Sequence, residues 1–175
     1  DLGSVEFNLD RIPAGADNDR WTEQAALTRA QLFEALGRAD EALEIYDQLL
    51  TSDHRAILAR ARFAHANLRH ELGAMSDEEL TIELHALRLV WRGDDLELAV
   101  LERLGELLIA KGEVAEGLEI WRMAVGTFPE TERARRVASG MTETFTDLYL
   151  SGGADEMDPV EALSIYYEFR ELTPI

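Results

Sequence analysis

Apolar residues recur every three to four positions over most of the chain, which is the spacing of one face of a helix. The clearest stripe lies near residues 40–51 and consists of Ala42, Leu43, Ile45, Tyr46, Leu49 and Leu50. Alternating runs of Val, Ile and Thr bounded by turn residues, which would indicate strands, do not occur. The pattern therefore predicts an all-α chain.

Glycines, prolines and one capping box divide this pattern into eight predicted helices. Gly37, Gly73 and Gly112 follow helical segments, as C-terminal cap glycines do. Ser76 is followed three residues later by Glu79, which forms a capping-box motif. The predicted helices span about 20–36, 40–51, 54–72, 77–91, 95–111, 114–126, 130–150 and 159–171. Because the breaks are short, consecutive helices are expected to be antiparallel neighbours.

The pattern also predicts the domain organisation. Residues 1–19 lack the helical period and contain Gly3, Pro13 and Gly15, so they are predicted to form an extended arm or linker. Residues 20–175 are predicted to form one helical-repeat domain. Its hairpins are expected at about 20–51, 54–91, 95–127 and 130–171.

The third hairpin carries the most regular motif. It reads Leu101-x2-Leu104-Gly105-x2-Leu108, followed by Gly112, Gly117-x3-Trp121, Ala124 and Pro129. This succession of large, small, aromatic and proline positions resembles the tetratricopeptide repeat (TPR), a helix–turn–helix unit of 34 residues. Gly105 and Gly117 would then lie where two helices cross closely, and Trp121 would fill the space around the crossing.

The other hairpins match this motif in part. The first keeps its spacing at Phe33, Gly37, Ala42, Tyr46 and Leu49, and the last at Ala162, Tyr166, Phe169 and Pro174. The second matches by architecture alone, because Glu78 and Glu79 stand where a small residue is expected. The resemblance covers roughly residues 22–175 and implies an α-α superhelix, a solenoid of about four antiparallel hairpins. A closed helical bundle is the alternative.

The C-terminal end suggests a segment of a longer repeat protein. Residues 166–174 also resemble a segment of large bacterial TPR proteins of unassigned role. A repeat array normally ends in a polar capping helix, whereas the last helix here carries Tyr166, Tyr167 and Phe169. Further repeats, or another chain, are therefore expected to cover this end.

Composition narrows the functional classes. The chain has 17 Lys and Arg against 35 Asp and Glu, a net charge of −18, which disfavours nucleic-acid binding because phosphate neutralisation needs clustered cations. No apolar run reaches the roughly 18 residues of a membrane span, so direct membrane insertion is not expected. The absence of Cys and the acidity suit the bacterial cytoplasm and periplasm equally.

No catalytic, cofactor or metal site is predicted. The carboxylate pair Asp94-Asp95 falls at a predicted helix start, where the helix dipole favours negative charge. His65 and His70 are five residues apart, whereas a helical metal pair needs a spacing of four. Trp21, Trp91 and Trp121 are expected in the core. The enzymatic alternative is a helical-repeat lyase or hydrolase with a deep pocket near His70 and Tyr149.

The resemblance also implies where a partner would bind. In TPR proteins the first helix of each hairpin lines a concave groove. The matching positions here are Gln24, Gln31, Glu34, Arg60, Phe63, Asn67, His70, Glu102, Glu106, Thr146 and Tyr149. The expected function is a non-enzymatic scaffold that binds a protein or peptide with acidic and basic portions. Self-association through the aromatic last helix, giving a homo-oligomer, is the alternative.

A cationic, arginine-rich stretch, residues 54–70, has two possible roles. Between His54 and His70 there is no acidic residue, whereas four arginines occur there: Arg55, Arg60, Arg62 and Arg69. These arginines either pair with carboxylates of the neighbouring helices or bind carboxylates of the partner, for which the planar guanidinium is well suited. The sequence leaves both possibilities open.

Overall fold

The computed structural model of the chain describes residues 19–173. The predicted arm lies outside this range except for Asp19, at which the first helix begins. The described residues form eight α-helices: α1 (Asp19–Ala35), α2 (Ala39–Leu49), α3 (Arg55–Glu71), α4 (Asp77–Val90), α5 (Asp95–Ala110), α6 (Val114–Thr127), α7 (Glu132–Leu150) and α8 (Pro159–Glu168). Two short 3-10 helices, Gly153–Glu156 and Arg170–Leu172, flank α8.

The helix ends follow the signals in the sequence. Gly37, Gly73 and Gly112 adopt φ angles of 73°, 72° and 87°, the left-handed region that closes a helix without a steric penalty only for glycine. Ser76 and Glu79 form the predicted capping box at the start of α4. The prediction for the last helix was three residues too long, because the chain leaves the α-helix at Phe169 and continues as a 3-10 turn.

The described helices form two compact units, α1–α4 and α5–α8, divided between Trp91 and Arg92. In the described part of the first unit, α1, α2 and α3 pack around a continuous apolar core. Its buried members are Leu27, Ala30, Ala42, Tyr46, Leu49, Ile57, Ala61 and Leu68. Tyr46 is fully buried, and its hydroxyl donates a hydrogen bond to Glu34 Oε2 at 2.7 Å. This bond satisfies the one polar group that the ring brings into the core.

The second unit is built around the crossing of α5 and α6. A Cβ atom on Gly105 would lie 2.2 Å from the Trp121 ring, and one on Gly117 would lie 2.9 Å from the Gly105 carbonyl oxygen. The Trp121 indole nitrogen donates to the Glu102 carbonyl oxygen at 2.9 Å. The prediction that both glycines mark a close helix crossing filled by Trp121 is confirmed.

The acidic pair at the start of α5 has a structural role. The Asp94 side chain accepts hydrogen bonds from the backbone nitrogens of Leu96 at 3.0 Å and Glu97 at 3.4 Å, as an N-cap residue does. Glu97 is buried, and its carboxylate accepts from Arg92 at 3.0 Å and from the Gly93 backbone nitrogen. These carboxylates therefore complete the helix terminus.

The expectation that all three tryptophans belong to the core was wrong for Trp21. Its side chain is 69% exposed, whereas Trp121 is 8% exposed and Trp91 is half-buried. At 3.6 residues per turn, Trp21 lies on the side of α1 opposite Ala30, which is part of the core face. A tryptophan in the first helical turn can thus fall outside the apolar stripe.

Candidate interaction surface

The three predicted groove residues on α1 differ in their exposure to solvent. Gln24 and Gln31 are exposed and lie seven residues apart, so they share one side of the helix. Glu34 is half-buried and accepts the hydrogen bond from Tyr46 described above. Burial and the Glu34 carboxylate raise the pKa of the Tyr46 hydroxyl, which therefore stays protonated and remains a donor. Gln24 and Gln31 offer open amides, and Glu34 is held within its own hairpin.

On α3 the four predicted residues lie together on one side of the helix, and all are half-buried. The Arg60 guanidinium lies 5.6 Å from the ring centre of Trp91. Asn67 Nδ2 donates to the Phe63 carbonyl oxygen at 2.8 Å. His70 Nε2 lies 2.6 Å from Asp77 Oδ1 at the start of α4. Each polar side chain of this set is thus oriented by a contact within the unit.

The other arginines of the cationic stretch lie elsewhere on α3. Arg62 Nε binds Glu83 Oε1 at 2.7 Å, and Arg69 donates to the Ala74 carbonyl oxygen at 3.0 Å. The alternative in which these arginines pair with the neighbouring helix therefore holds for Arg62. Arg60 lies instead on the side of α3 that carries the other predicted groove residues of this helix, Phe63, Asn67 and His70.

In the second unit the predicted residues come from α5 and α7. Glu102 is half-buried and forms an ion pair of 3.1 Å with Arg133, whereas Glu106 is exposed and pairs with Arg103 at 3.2 Å. Thr146 is half-buried. Both carboxylates are thus engaged by half-buried arginines of the same unit.

Tyr149 is tied to its own hairpin. Its hydroxyl donates to the Ala162 carbonyl oxygen at 2.5 Å, and its ring lies 4.8 Å from Phe145 and 5.6 Å from Tyr166, centre to centre. Burial raises the pKa of the Tyr149 hydroxyl, so this donor persists at neutral pH. Both the ring and the hydroxyl of Tyr149 are thus engaged within the hairpin.

Glu102 is expected to titrate above its ordinary pKa of 4.5, because burial raises the pKa of its carboxyl more than Arg133 lowers it. The folded state then holds more protons than the unfolded state in the window above 4.5, so Glu102's contribution to stability falls as pH rises through that window. Nuclear magnetic resonance (NMR) titration of the side-chain carboxyl measures this shift directly.

Two variants test the cause of the Glu102 shift. Arg133→Ala removes the paired cation and should raise the pKa of Glu102 further, whereas Arg135→Ala, at an exposed position of the same helix, should leave it unchanged. A Glu102 pKa at or below 4.5 in the wild type would show that the ion pair dominates over burial.

One side of α8 is apolar and exposed, which the repeat motif did not predict. Val160, Leu163 and Tyr167 are 75%, 55% and 62% exposed, while Ala162, Ile165 and Phe169 on the other side of the chain segment are buried. The signal in the sequence was that apolar residues cover most of the circumference of this helix, leaving a narrow polar stripe of Glu161, Ser164 and Glu168. Such a helix cannot bury every apolar side chain against a single neighbour.

The described residues contain neither a grouping suited to a metal ion nor a helix suited to a membrane. Within residues 19–173, no three His, Asp or Glu side chains come together in a way that could bind a metal. No helix in that range combines the length and apolarity needed to cross a bilayer.

Comparison with known proteins identifies the fold. No protein-family profile matches the sequence, and no curated protein matches it. Two solved structures of a Podosopora anserina kinesin light chain protein with nearly identical TPR-like repeats, one of them a variant, superpose with TM-scores of 0.54 and 0.52 at 16% and 15% identity. The alignments cover 98% of this chain and 82% or 83% of the other. The predicted all-α, TPR-like fold class is thereby confirmed.

Proposed function

We propose that this chain is a non-enzymatic interaction scaffold that binds a partner protein or peptide on the concave face of a TPR-like array, as part of a larger protein. The observation that carries the proposal is the TPR-like fold over 98% of the chain. Helical-repeat folds present extended surfaces rather than enclosed pockets, and such surfaces suit peptide and protein recognition.

The chemistry of the proposed groove indicates a partner with both signs of charge. On α3, Arg60, Asn67 and His70 supply hydrogen-bond donors beside the apolar ring of Phe63. On α5, Glu102 and Glu106 supply carboxylates. Arg60 would bind a carboxylate of the partner, and the glutamates would bind its Lys or Arg side chains.

The double variant Arg60→Ala/Asn67→Ala is expected to lose at least about tenfold in partner affinity, the effect of removing contacts worth roughly 1.4 kcal/mol. The measurement is quantitative affinity capture with the wild-type chain as bait, followed by titration of the purified partner. The matched control is Arg170→Ala/Gln48→Ala, which removes one guanidinium and one carboxamide side chain at exposed positions outside the first helices of the hairpins.

Circular dichroism of both variants establishes that helicity is retained before binding is compared. A partner that binds the Arg60→Ala/Asn67→Ala variant as tightly as the wild type would refute the groove assignment. A partner lost equally with the control variant would point to non-specific electrostatic capture.

The enzymatic alternative depended on His70 and Tyr149, and the contacts of these two side chains do not favour it. His70 is bound to Asp77, and the Tyr149 hydroxyl is bound to the Ala162 carbonyl oxygen. Both contacts orient side chains within the fold. Proton transfer to a substrate would require either residue to exchange this partner for a reacting group.

Self-association is supported by one specific observation, the exposed apolar side of α8. Val160, Leu163 and Tyr167 would be covered if two copies packed through this helix. Sedimentation over a range of protein concentrations distinguishes this function from a monomeric scaffold. A mass that rises with concentration favours self-association, and a constant monomer mass favours the scaffold alone.

A further inference from the structure

A second surface lies on α3, away from the proposed groove. We name it the α3 cleft and define it by Arg55, Leu58, Ala59, Arg62, His65, Ala66 and Arg69, which recur at helical spacings of three and four. This side of α3 is roughly a third of a turn from the side that carries Arg60, Phe63 and Asn67. A ligand in the cleft and a ligand in the groove would therefore contact different residues of α3, and both would lie near Trp91, whose ring is 5.6 Å from the Arg60 guanidinium and lines one cavity of the cleft.

Two cavities run along this cleft and share Arg62. One, of about 250 Å³, lies against Leu87, Val90 and Trp91 of the α4 end. The other, of about 310 Å³, lies against Leu50, Met75 and Glu83. Space exists here because the floor of each cavity is an alanine, Ala59 and Ala66, both nearly fully buried.

The charge of the cleft is opposite to that of the chain. Its lining includes three arginines and His65, while the lining residues of both cavities include a single carboxylate, Glu83, which binds Arg62. His65 lies 3.0 Å from Asp47 of α2, and hydrogen bonds from Ser76, together with the charge of Arg69, lower the pKa of Glu79. This positive surface occurs in a chain of net charge −18.

The two end arginines are placed to receive a ligand. Arg55 is exposed and donates to the Val90 carbonyl oxygen at 3.4 Å, and Arg69 donates to the Ala74 carbonyl oxygen at 3.0 Å. These bonds go to main-chain oxygens, which carry no formal charge, so a carboxylate would be a stronger acceptor. Val90, beside Arg55, is 51% exposed and supplies apolar surface at that end.

We propose that the α3 cleft binds an acidic peptide segment whose carboxylates bind Arg55 and Arg69, while Arg62 keeps its ion pair with Glu83, and whose apolar side chain enters the cavity beside Val90 and Trp91. The charge complementarity selects this occupant over a basic or neutral segment. From Arg55 to Arg69 the helix rises about 21 Å. An extended octapeptide, which reaches about 26 Å, spans this distance. This site goes beyond the proposed groove and does not depend on it.

The test uses a fluorescein-labelled, end-blocked octapeptide, Glu-Asp-Glu-Asp-Glu-Leu-Asp-Glu, titrated with the full chain at low salt. Saturable binding is expected, with a shift of the Trp91 indole NMR signal. The variant Arg55→Glu/Arg69→Glu should weaken binding at least about tenfold, because both end contacts become repulsive. The control Arg135→Glu/Arg136→Glu, with the same change in net charge, should stay within about twofold of the wild type.

Further variants and peptides distinguish an acidic peptide from other possible ligands of the α3 cleft. Arg55→Gln/Arg69→Gln removes the two positive charges without reversing them, and it provides a second test in case the glutamate variant perturbs the helix. Its loss of peptide affinity should lie between that of the wild type and that of the glutamate variant. Changing the peptide leucine to alanine should weaken binding about fivefold. Failure of the acidic peptide to bind at 1 mM, equal binding by the Glu variant, or equal binding of a Gln/Asn version of the peptide would overturn the proposal. Self-association that the Glu variant abolishes would assign the cleft to a second copy.

Discussion

The Trp121→Ala variant is expected to lose about 3–5 kcal/mol of unfolding free energy, the range for large aromatic truncations in a core. Trp121 is buried at the centre of the second unit. Its ring lies against Gly105 of α5 and within 3.3 Å of a Cβ built on Gly140 of α7. Removing it leaves a cavity between three helices and frees the Glu102 carbonyl oxygen. Urea unfolding followed by circular dichroism measures the change.

A double-mutant cycle tests whether Trp121 is the reason for glycine at position 105. In the wild type, Gly105→Ala should destabilise by about 1–3 kcal/mol, because the three atoms nearest to its Cβ all belong to the Trp121 ring. In the Trp121→Ala background the same change should become stabilising by up to about 1 kcal/mol, the ordinary preference of a helix for alanine.

Gly117→Ala is the matched control for this cycle. Its Cβ would meet the Gly105 carbonyl oxygen and Ile109, neither of which the Trp121 change removes. Its cost should therefore persist in both backgrounds. Equal costs of Gly105→Ala with and without Trp121 would contradict the proposed packing of the crossing.

The second large effect is expected at Tyr46. Tyr46→Ala should cost about 3–5 kcal/mol through loss of a fully buried ring. Tyr46→Phe should cost about 1.5–3 kcal/mol, because it keeps the ring but removes the hydrogen bond to the Glu34 carboxylate. Urea unfolding gives the total effect, and hydrogen exchange of the α1 and α2 amides locates it.

Glu34→Gln provides the control for the Tyr46 bond. The amide oxygen of Gln can still accept from the Tyr46 hydroxyl, so this variant should lose less stability than Tyr46→Phe. A Tyr46→Phe variant as stable as the wild type would show that the hydrogen bond from the hydroxyl contributes nothing measurable to the free energy of unfolding.

The fold could be predicted from sequence because its determinants are local. Gly37, Gly73 and Gly112 mark helix ends by a backbone conformation that other residues rarely adopt. The spacing of Gly105, Gly117 and Trp121 encodes the tightest helix crossing. The bounds were least accurate at α8, where the switch to a 3-10 turn at Phe169 depends on packing.

The candidate surface was harder to predict, because a spacing rule places a residue on a helix side without giving its partners. Glu34 and Tyr149 were assigned to the groove, yet each forms a hydrogen bond within its own hairpin. The arginines of the α3 cleft were predicted as a cationic stretch, but the cavities between them were not. The space in the cleft depends on Ala59 and Ala66 forming the floor between α2 and α4, which only tertiary packing reveals.

The most direct test of the scaffold is hydroxyl-radical footprinting of the chain with and without its purified partner. If the partner binds in the proposed groove, Phe63 and Tyr149, which lie on the first helices of their hairpins, should become less reactive toward hydroxyl radicals. Leu163 and Tyr167, on the exposed side of α8, should keep their reactivity. Protection of Leu163 and Tyr167 with unchanged Phe63 and Tyr149 would contradict partner binding on the proposed groove.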